Sequence, residues 1–215
     1  MPIKGVIFDL DGVIVSTDEC HYQGWKRLAD EEGIEFTRED NMRLRGVSRM
    51  QSLEFLLEKA PRKYTDEEKQ EMAARKNNYY RELLKDITPR DILPGAMEIM
   101  EELKRRNIKI AVGSSSKNTP RILQRTGLDD YFDAVSDGND IKRGKPDPEV
   151  FLIAAQRLSL DPRECLVIED AKAGIEAALA GNMKAVGVGA AQDDERAHLR
   201  VKDMSSVTVD QLLAL

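Results

Sequence analysis

The 215-residue chain is poor in the residues that build covalent or soft-metal frameworks: it holds two cysteines, Cys20 and Cys165, and two histidines, His21 and His198. Cysteines that far apart give no disulfide scaffold, and with so few histidines beside them no zinc-ligand spacing can be read. Long apolar runs are missing too. The first twelve residues contain none long enough for a secretory leader, and no segment approaches the ~18–20 apolar residues of a spanning helix. Nor is there a surplus of positive charge. Lys and Arg total 33 against 39 Asp and Glu, a net charge of −6, which argues against nucleic acid or a membrane surface as partner. What is present is apolar material for a sizeable core, 41% of the chain. The expectation is a cytoplasmic α/β protein.

A short apolar run, Ile3–Asp9, is rich in β-branched residues, ends at Gly12 and reads as a buried strand entering a turn. Similar runs recur at Ile108–Val112, Ala134–Ser136, Leu166–Ile168 and Ala185–Val188, with a weaker one at Val207–Val209. Amphipathic stretches of helical length lie between them, at Ala96–Arg106, Pro120–Thr126, Pro148–Leu158 and Ala171–Ala180. Such alternation predicts βαβ units and a mostly parallel sheet covered on both faces. From about Thr17 to Ile87 the rhythm breaks, and only helical patterns appear: Asp18–Glu32, Glu39–Leu44, Met50–Lys59 and Asp66–Lys85. A helical block inserted after the first strand predicts a second domain with adjacent linkers. The expected division is a core of residues 1–16 and 89–215 and an insert of residues 17–88.

In an open parallel sheet, ligands bind beyond the carboxyl ends of the strands. Just past the first run stand Asp9-Leu10-Asp11-Gly12; past the second, Gly113-Ser114-Ser115-Ser116-Lys117-Asn118; past the third, Gly144-Lys145-Pro146-Asp147; and Glu169-Asp170 end the fourth. Acids at strand ends often cap helices and serine runs often make turns, but four such ends on one rim are harder to assign to structure alone. Four carboxylates, all ionised at pH 7, would repel: two charges ~4 Å apart cost roughly 4 kcal/mol at an effective dielectric of ~20. Such a cluster demands a hard cation. Oxygen donors without His or Cys favour Mg²⁺ over zinc. Asp9 and Asp11 are two apart on extended chain and can face the same site, and Gly12 allows the backbone to turn sharply beside it.

These motifs, Asp9-x-Asp11-Gly12, Ser114, Lys145-Pro146 and Glu169-Asp170, resemble those of the haloacid dehalogenase superfamily of aspartyl phosphotransferases and phosphatases, over essentially the whole chain. The resemblance implies a Rossmann-like three-layer α/β core, a small helical cap made of the insert, and a site between them. His21 through Trp25, Arg45-Gly46-Val47-Ser48-Arg49, Arg75-Lys76-Asn77 and Ser114–Asn118 further resemble stretches of the superfamily's sugar-phosphate mutases. Those enzymes interconvert β-glucose 1-phosphate and glucose 6-phosphate through a bound bisphosphate. A sugar-phosphate phosphatase on the same scaffold is the alternative.

By that resemblance, Asp9 would be the nucleophile and Asp11 the general acid and base. Asp9, Asp11 through its carbonyl, Glu169 and Asp170 would hold Mg²⁺. Ser114, the Ser115 amide and Lys145 would hold the transferring phosphoryl group, whose equatorial oxygens need positive potential. Arg49, Ser116, Lys117 and Asn118 would clamp the non-reacting phosphate, Arg49 by its planar fork. Gly46, Val47, Ser48 and Ser52 would line the sugar side. His21 would link cap to Asp11 with Lys76 nearby, and Trp25, on the same helical face as His21, would pack the cap core and touch ligand. The partner would be a small sugar phosphate, and the protein a monomer. Three positions depart from the pattern. Val15-Ser16-Thr17 precede Asp18 where many members carry an acid, Cys20 stands where a larger aromatic is expected, and Arg45 where Lys is usual. Gly187-Val188-Gly189 lacks the third glycine of a dinucleotide fingerprint and reads as a turn. Met42, Met50, Met72, Met97, Met100 and Met183 read as core filler.

Overall fold

The computed structural model describes all residues, Met1–Leu215. Six strands, β1 (Gly5–Phe8), β2 (Lys109–Gly113), β3 (Ala134–Ser136), β4 (Cys165–Glu169), β5 (Lys184–Val188) and β6 (Leu199–Val201), form one sheet in the order β3-β2-β1-β4-β5-β6. Every pairing is parallel, and the register sets Phe8 beside Val112 on one side and Ile168 on the other. The strand order reverses direction at β1–β4, so a crevice opens there beyond the carboxyl ends. Five of the six expected strands are present. The weak run at Val207–Val209 is a correction: Thr208 and Gln211 form a capping box that starts helix α9 (Val209–Leu213), and the sixth strand is β6 instead.

Alternate residues of each strand face opposite sides, and the two sides are both apolar. Val6, Phe8, Ile110, Val112, Leu166 and Ile168 pack under α5 (Ala96–Arg105), α6 (Thr119–Thr126) and α9. Ile7, Ala111, Val167 and Ala185 pack under α7 (Glu149–Leu158) and α8 (Lys172–Ala180). The result is the expected three-layer, Rossmann-like core.

The insert is helical throughout: α1 (Asp18–Glu31), α2 (Arg38–Met42), α3 (Arg49–Leu57) and α4 (Asp66–Leu83). Capping boxes at Thr37/Asp40, Ser48/Gln51 and Thr65/Glu68 start the last three by satisfying amides that a helix start leaves open. These helices surround a third cluster centred on Trp25, Leu28, Leu53 and Met72. At its far end α4 runs into the main core, where Tyr80 and Leu84 join Ile14 and Val15. Of the methionines expected as filler, Met72, Met100 and Met183 are buried, but Met42 is 60% exposed, because α2 ends at the surface. Both cysteines are free. No helix is long and apolar enough to cross a membrane.

Candidate active site

A cavity of about 690 Å³ lies between the carboxyl ends of the strands and the insert. Its core wall presents Asp9, Asp11, Asp170 and Ser114–Asn118, and its insert wall His21, Trp25, Gly46–Arg49, Ser52 and Lys76. All the residues singled out in the sequence face it except Lys145 and Glu169, which are fully buried.

Those two form its floor. Lys145 Nζ donates to Asp9 Oδ1 and to Glu169 Oε1, each at 2.5 Å, and sits over the Phe151 ring. Burial alone would lower the Lys145 pKa; the two carboxylates outweigh it and raise it. Burial pushes Asp9 up to about 7 against the pull of Lys145. Glu169 also accepts from the Ala171 amide through Oε2 at 2.7 Å. Both of its oxygens therefore accept from the protein, and one of them holds Lys145.

Asp170 differs. It is 8% exposed and faces the cavity, and its pKa is raised well above the carboxylate range by burial and by repulsion from Glu169, Asp9 and Asp11, with Arg45 the one charge in its favour. Gly12 permits this approach: its φ is +87°, and a Cβ there would overlap the Asp170 carboxylate. No three His, Cys, Asp or Glu side chains form a ready cage. Of the four carboxylates that line the cavity, Asp11 is taken up by Thr17 and Asp18 by Arg45, which leaves Asp9 and Asp170 as the side-chain donors, beside the Asp11 backbone. Such all-oxygen donors fit a hard divalent ion that completes its shell with water and phosphate oxygens.

The Asp11 side chain turns toward the insert. Its Oδ1 accepts from the Thr17 amide at 2.8 Å, its Oδ2 accepts from the Thr17 hydroxyl, and His21 Nε2 stands 3.4 Å from Oδ2. Burial would raise its pKa; the bonds from His21 and Thr17 hold it below the usual carboxylate value. Thr17 is the residue before α1, yet its hydroxyl caps nothing. It lies 2.9 Å from the Tyr80 hydroxyl, and the Tyr80 ring stacks on His21 at 4.1 Å between centroids. Thr17 and Tyr80 were not singled out in the sequence. Tyr80 lies four residues after Lys76 on the same face of α4, which was the available signal.

The residues expected to clamp a second phosphate come from two elements. Arg49 is the first residue of α3; burial lowers its pKa and no carboxylate pairs with it. In the loop after β2, Ser114 Oγ accepts from the Ser116 amide at 3.1 Å and Ser116 Oγ from the Asn118 amide at 3.2 Å. The Ser115 hydroxyl has no protein partner. Ser48, expected on the sugar side, is the N-cap of α3 and shares a capping box with Gln51. Trp25 packs in the insert core at 2% exposure and carries Lys76 Nζ 4.7 Å above its ring. The departures at Asp18 and Arg45 explain each other. Arg45 NH2 and Nε bind the Asp18 carboxylate at 2.8 and 3.3 Å, and Asn41 donates to it as well.

The sequence matches the haloacid dehalogenase-like hydrolase family over residues 3–182. It is 47% identical to a beta-phosphoglucomutase of Bacillus subtilis, over 98% of this chain and 94% of that protein. It is 32% identical to a phosphorylated carbohydrates phosphatase of Thermotoga maritima, over 98% and 97%. The structure superposes on a beta-phosphoglucomutase from Clostridium difficile with a TM-score of 0.92 and 42% identity, covering 97% and 95% of the two chains. With its parallel sheet, its aspartates beyond β1 and its buried lysine, the chain belongs to the haloacid dehalogenase-like hydrolase family.

Proposed function

We propose that this protein is a sugar-phosphate mutase that interconverts β-D-glucose 1-phosphate and glucose 6-phosphate through a phosphoaspartyl enzyme and glucose 1,6-bisphosphate. The observation that supports this most is a cavity lined by two sets of anion-facing residues. Asp9, with Lys145 beneath it, and Ser114 line it together with the unpaired Arg49 guanidinium, Ser116, Lys117 and Asn118. An enzyme that only hydrolyses a monophosphate has no use for the second set.

In the forward direction, phosphorylated Asp9 gives its phosphoryl group to the C6 hydroxyl of β-glucose 1-phosphate, and Asp11 takes the hydroxyl proton. The bisphosphate then reverses its placement. Asp9 attacks the C1 phosphate, the C1–O–P bridge breaks at phosphorus, and Asp11 returns the proton to the departing C1 oxygen. Lys145 pulls Asp9 toward its ionised form, aligns it, and supplies positive charge where phosphoryl oxygens gather. A Mg²⁺ ion held by Asp9, Asp170 and the Asp11 carbonyl would offset the charge between carboxylates and phosphate. Residues 17–88 would act as a cap over the core, and closure would exclude water from the acyl phosphate.

The test is incubation with β-glucose 1-phosphate, Mg²⁺ and a trace of the bisphosphate. Glucose 6-phosphate is the expected product; steady release of inorganic phosphate instead would establish the phosphatase alternative, which the Thermotoga maritima relative favours. Arg49→Ala separates the two further, because it should lose isomerisation far more than hydrolysis of acetyl phosphate.

A further inference from the structure

Asn118 precedes helix α6 but does not cap it with its side chain. Its Nδ2 instead donates to Oδ1 of Asn77, 2.9 Å away, across the cavity on helix α4. Both residues line the cavity with Arg49 and Lys117. The bond joins the insert to the loop after β2. Its chemistry is directional. With Asn118 as the donor and Asn77 Oδ1 as the acceptor, one N–H of Asn118 stays free. The two N–H groups of Asn77 have no protein partner. Three amide donors therefore remain in the cavity that Arg49 also lines, and of its carboxylates Asp9 is bonded to Lys145, Asp11 to Thr17 and Asp18 to Arg45. Free N–H donors on both sides of the insert–core contact, with no carboxylate bonded to either amide, suit an anion.

We infer that Asn77 is a further residue of the second phosphate site, orienting Asn118 and offering N–H donors from the insert side, so that gripping the non-reacting phosphate also ties insert to core. This rests on the mutase reading above, since only a bisphosphate fills both phosphate sites. Asn77 follows Lys76 directly in the helix, so one element serves two parts of the site: Lys76 reaches toward His21 and Asn77 toward the loop after β2.

The test uses the full-length protein with Asp9→Asn, which does not turn ligand over, titrated calorimetrically with glucose 1,6-bisphosphate. Asn77→Ala should weaken binding about tenfold. Asn77→Asp keeps the acceptor for Asn118 but replaces the donors by a negative charge, and should weaken it about a hundredfold. In the Asp9 protein, Asn77→Ala should lower bisphosphate-dependent turnover at least about tenfold more than acetyl phosphate hydrolysis. Bisphosphate affinity within twofold of the parent, or equal losses with both donors, would overturn the assignment and leave Asn77 a structural contact. The isomerisation assay on the unmodified protein decides the mutase reading separately.

Discussion

Lys76 Nζ lies 3.0 Å from Nδ1 of His21, and this one distance fixes how protons are arranged on the insert side of the site. Below pH 7, where Lys76 is an ammonium and can only donate, Nδ1 accepts and the ring proton sits on Nε2, the nitrogen that faces Asp11 Oδ2. Burial lowers the pKa of both groups; for His21 the neighbouring Lys76 charge adds to it, and Asp11 works against it. His21 is thus held as a neutral donor toward the residue proposed to move protons. Tyr80 closes the arrangement, stacked on His21 and bonded to Thr17, which in turn holds Asp11.

Lys76 destabilises the fold in a pH-dependent way. Burial, with Arg49 adding to it, brings its pKa from 10.5 down to about 7. Between those values the unfolded chain binds the proton and the folded chain does not, so stability from this group rises as pH climbs from 7 toward 10.5. Below 7 the folded state carries the full burden of a buried ammonium, softened by the Trp25 and Tyr80 rings. Lys76→Met should therefore raise stability on the order of 2–3 kcal/mol at pH 6.5 and clearly less at pH 9.5. Urea midpoints at the two values measure it; a difference that does not change with pH would refute the assignment.

Gly46 and Gly33 make a matched pair. Both adopt positive φ, +72° and +68°, so alanine strains the backbone at either place by about 1 kcal/mol. A Cβ at Gly33 meets nothing within 4 Å, whereas at Gly46 it would stand 2.7 Å from the Ala171 Cβ, where the insert touches the core loop after β4. Gly33→Ala should lower the melting point by a few degrees and leave kinetics alone. Gly46→Ala should show the same thermal loss and in addition raise KM at least about fivefold, because insert and core can no longer meet. Equal kinetics for the two variants would mean that this contact is not needed for turnover.

Much of this was legible in the sequence, and the exceptions share a cause. Strands β1, β2, β4 and β5 are buried on both faces and so appear as unbroken apolar runs. Edge strand β6 is three residues long, with exposed Arg200 at its centre, and offers no such signal. Val207–Val209 imitated a strand by composition, although Thr208 and Gln211 already spelled a helix start. Asp9, Asp11, Ser114, Lys145 and Asp170 could be named because their chemistry is tied to residue type and strand end. The parts of Thr17, Tyr80 and Asn77 were not legible from their types, since each acts through a partner, Asp11, His21 and Asn118, that only the fold brings to it. Glu169 is the converse case. Its type suits a metal, and only the buried Lys145 and the Ala171 amide show where its oxygens go.

Gly174 is required by that same carboxylate. It lies inside α8, where alanine would normally be the better helix former, but a Cβ there would overlap the Glu169 carboxyl group. Gly174→Ala must push Glu169 off Lys145 or shift α8 from the sheet. A loss of about 2–4 kcal/mol in stability is expected, with a fall in kcat of at least about tenfold in whatever protein folds, since Lys145 would be left with Asp9 alone. Glu169→Gln separates the two effects. It keeps the shape and one acceptor for Lys145, so it should lose activity with a smaller thermal change. A Gly174→Ala protein with unaltered melting point and turnover would show that Glu169 moves freely, contrary to its engagement at both oxygens.

Asp170 provides the test of the cation. It faces the cavity amid the charges of Asp9, Asp11 and Glu169, with only Arg45 to offset them, so in chelator the folded state bears a repulsion that unfolding relieves. Asp170→Asn removes one of those charges and should melt higher than the parent in EDTA. Adding Mg²⁺ should reverse the order. An ion that binds only the folded chain stabilises it by about 2.7 kcal/mol at a hundred times Kd, worth roughly 5–10 °C for a chain of this size, and Asp170→Asn should gain little of it. Calcium, larger and less insistent on octahedral geometry, should raise the melting point without supporting turnover. If Mg²⁺ moved parent and variant equally, the ion would be binding elsewhere, and the repulsion between Asp9 and Asp170 would have to be relieved by a proton.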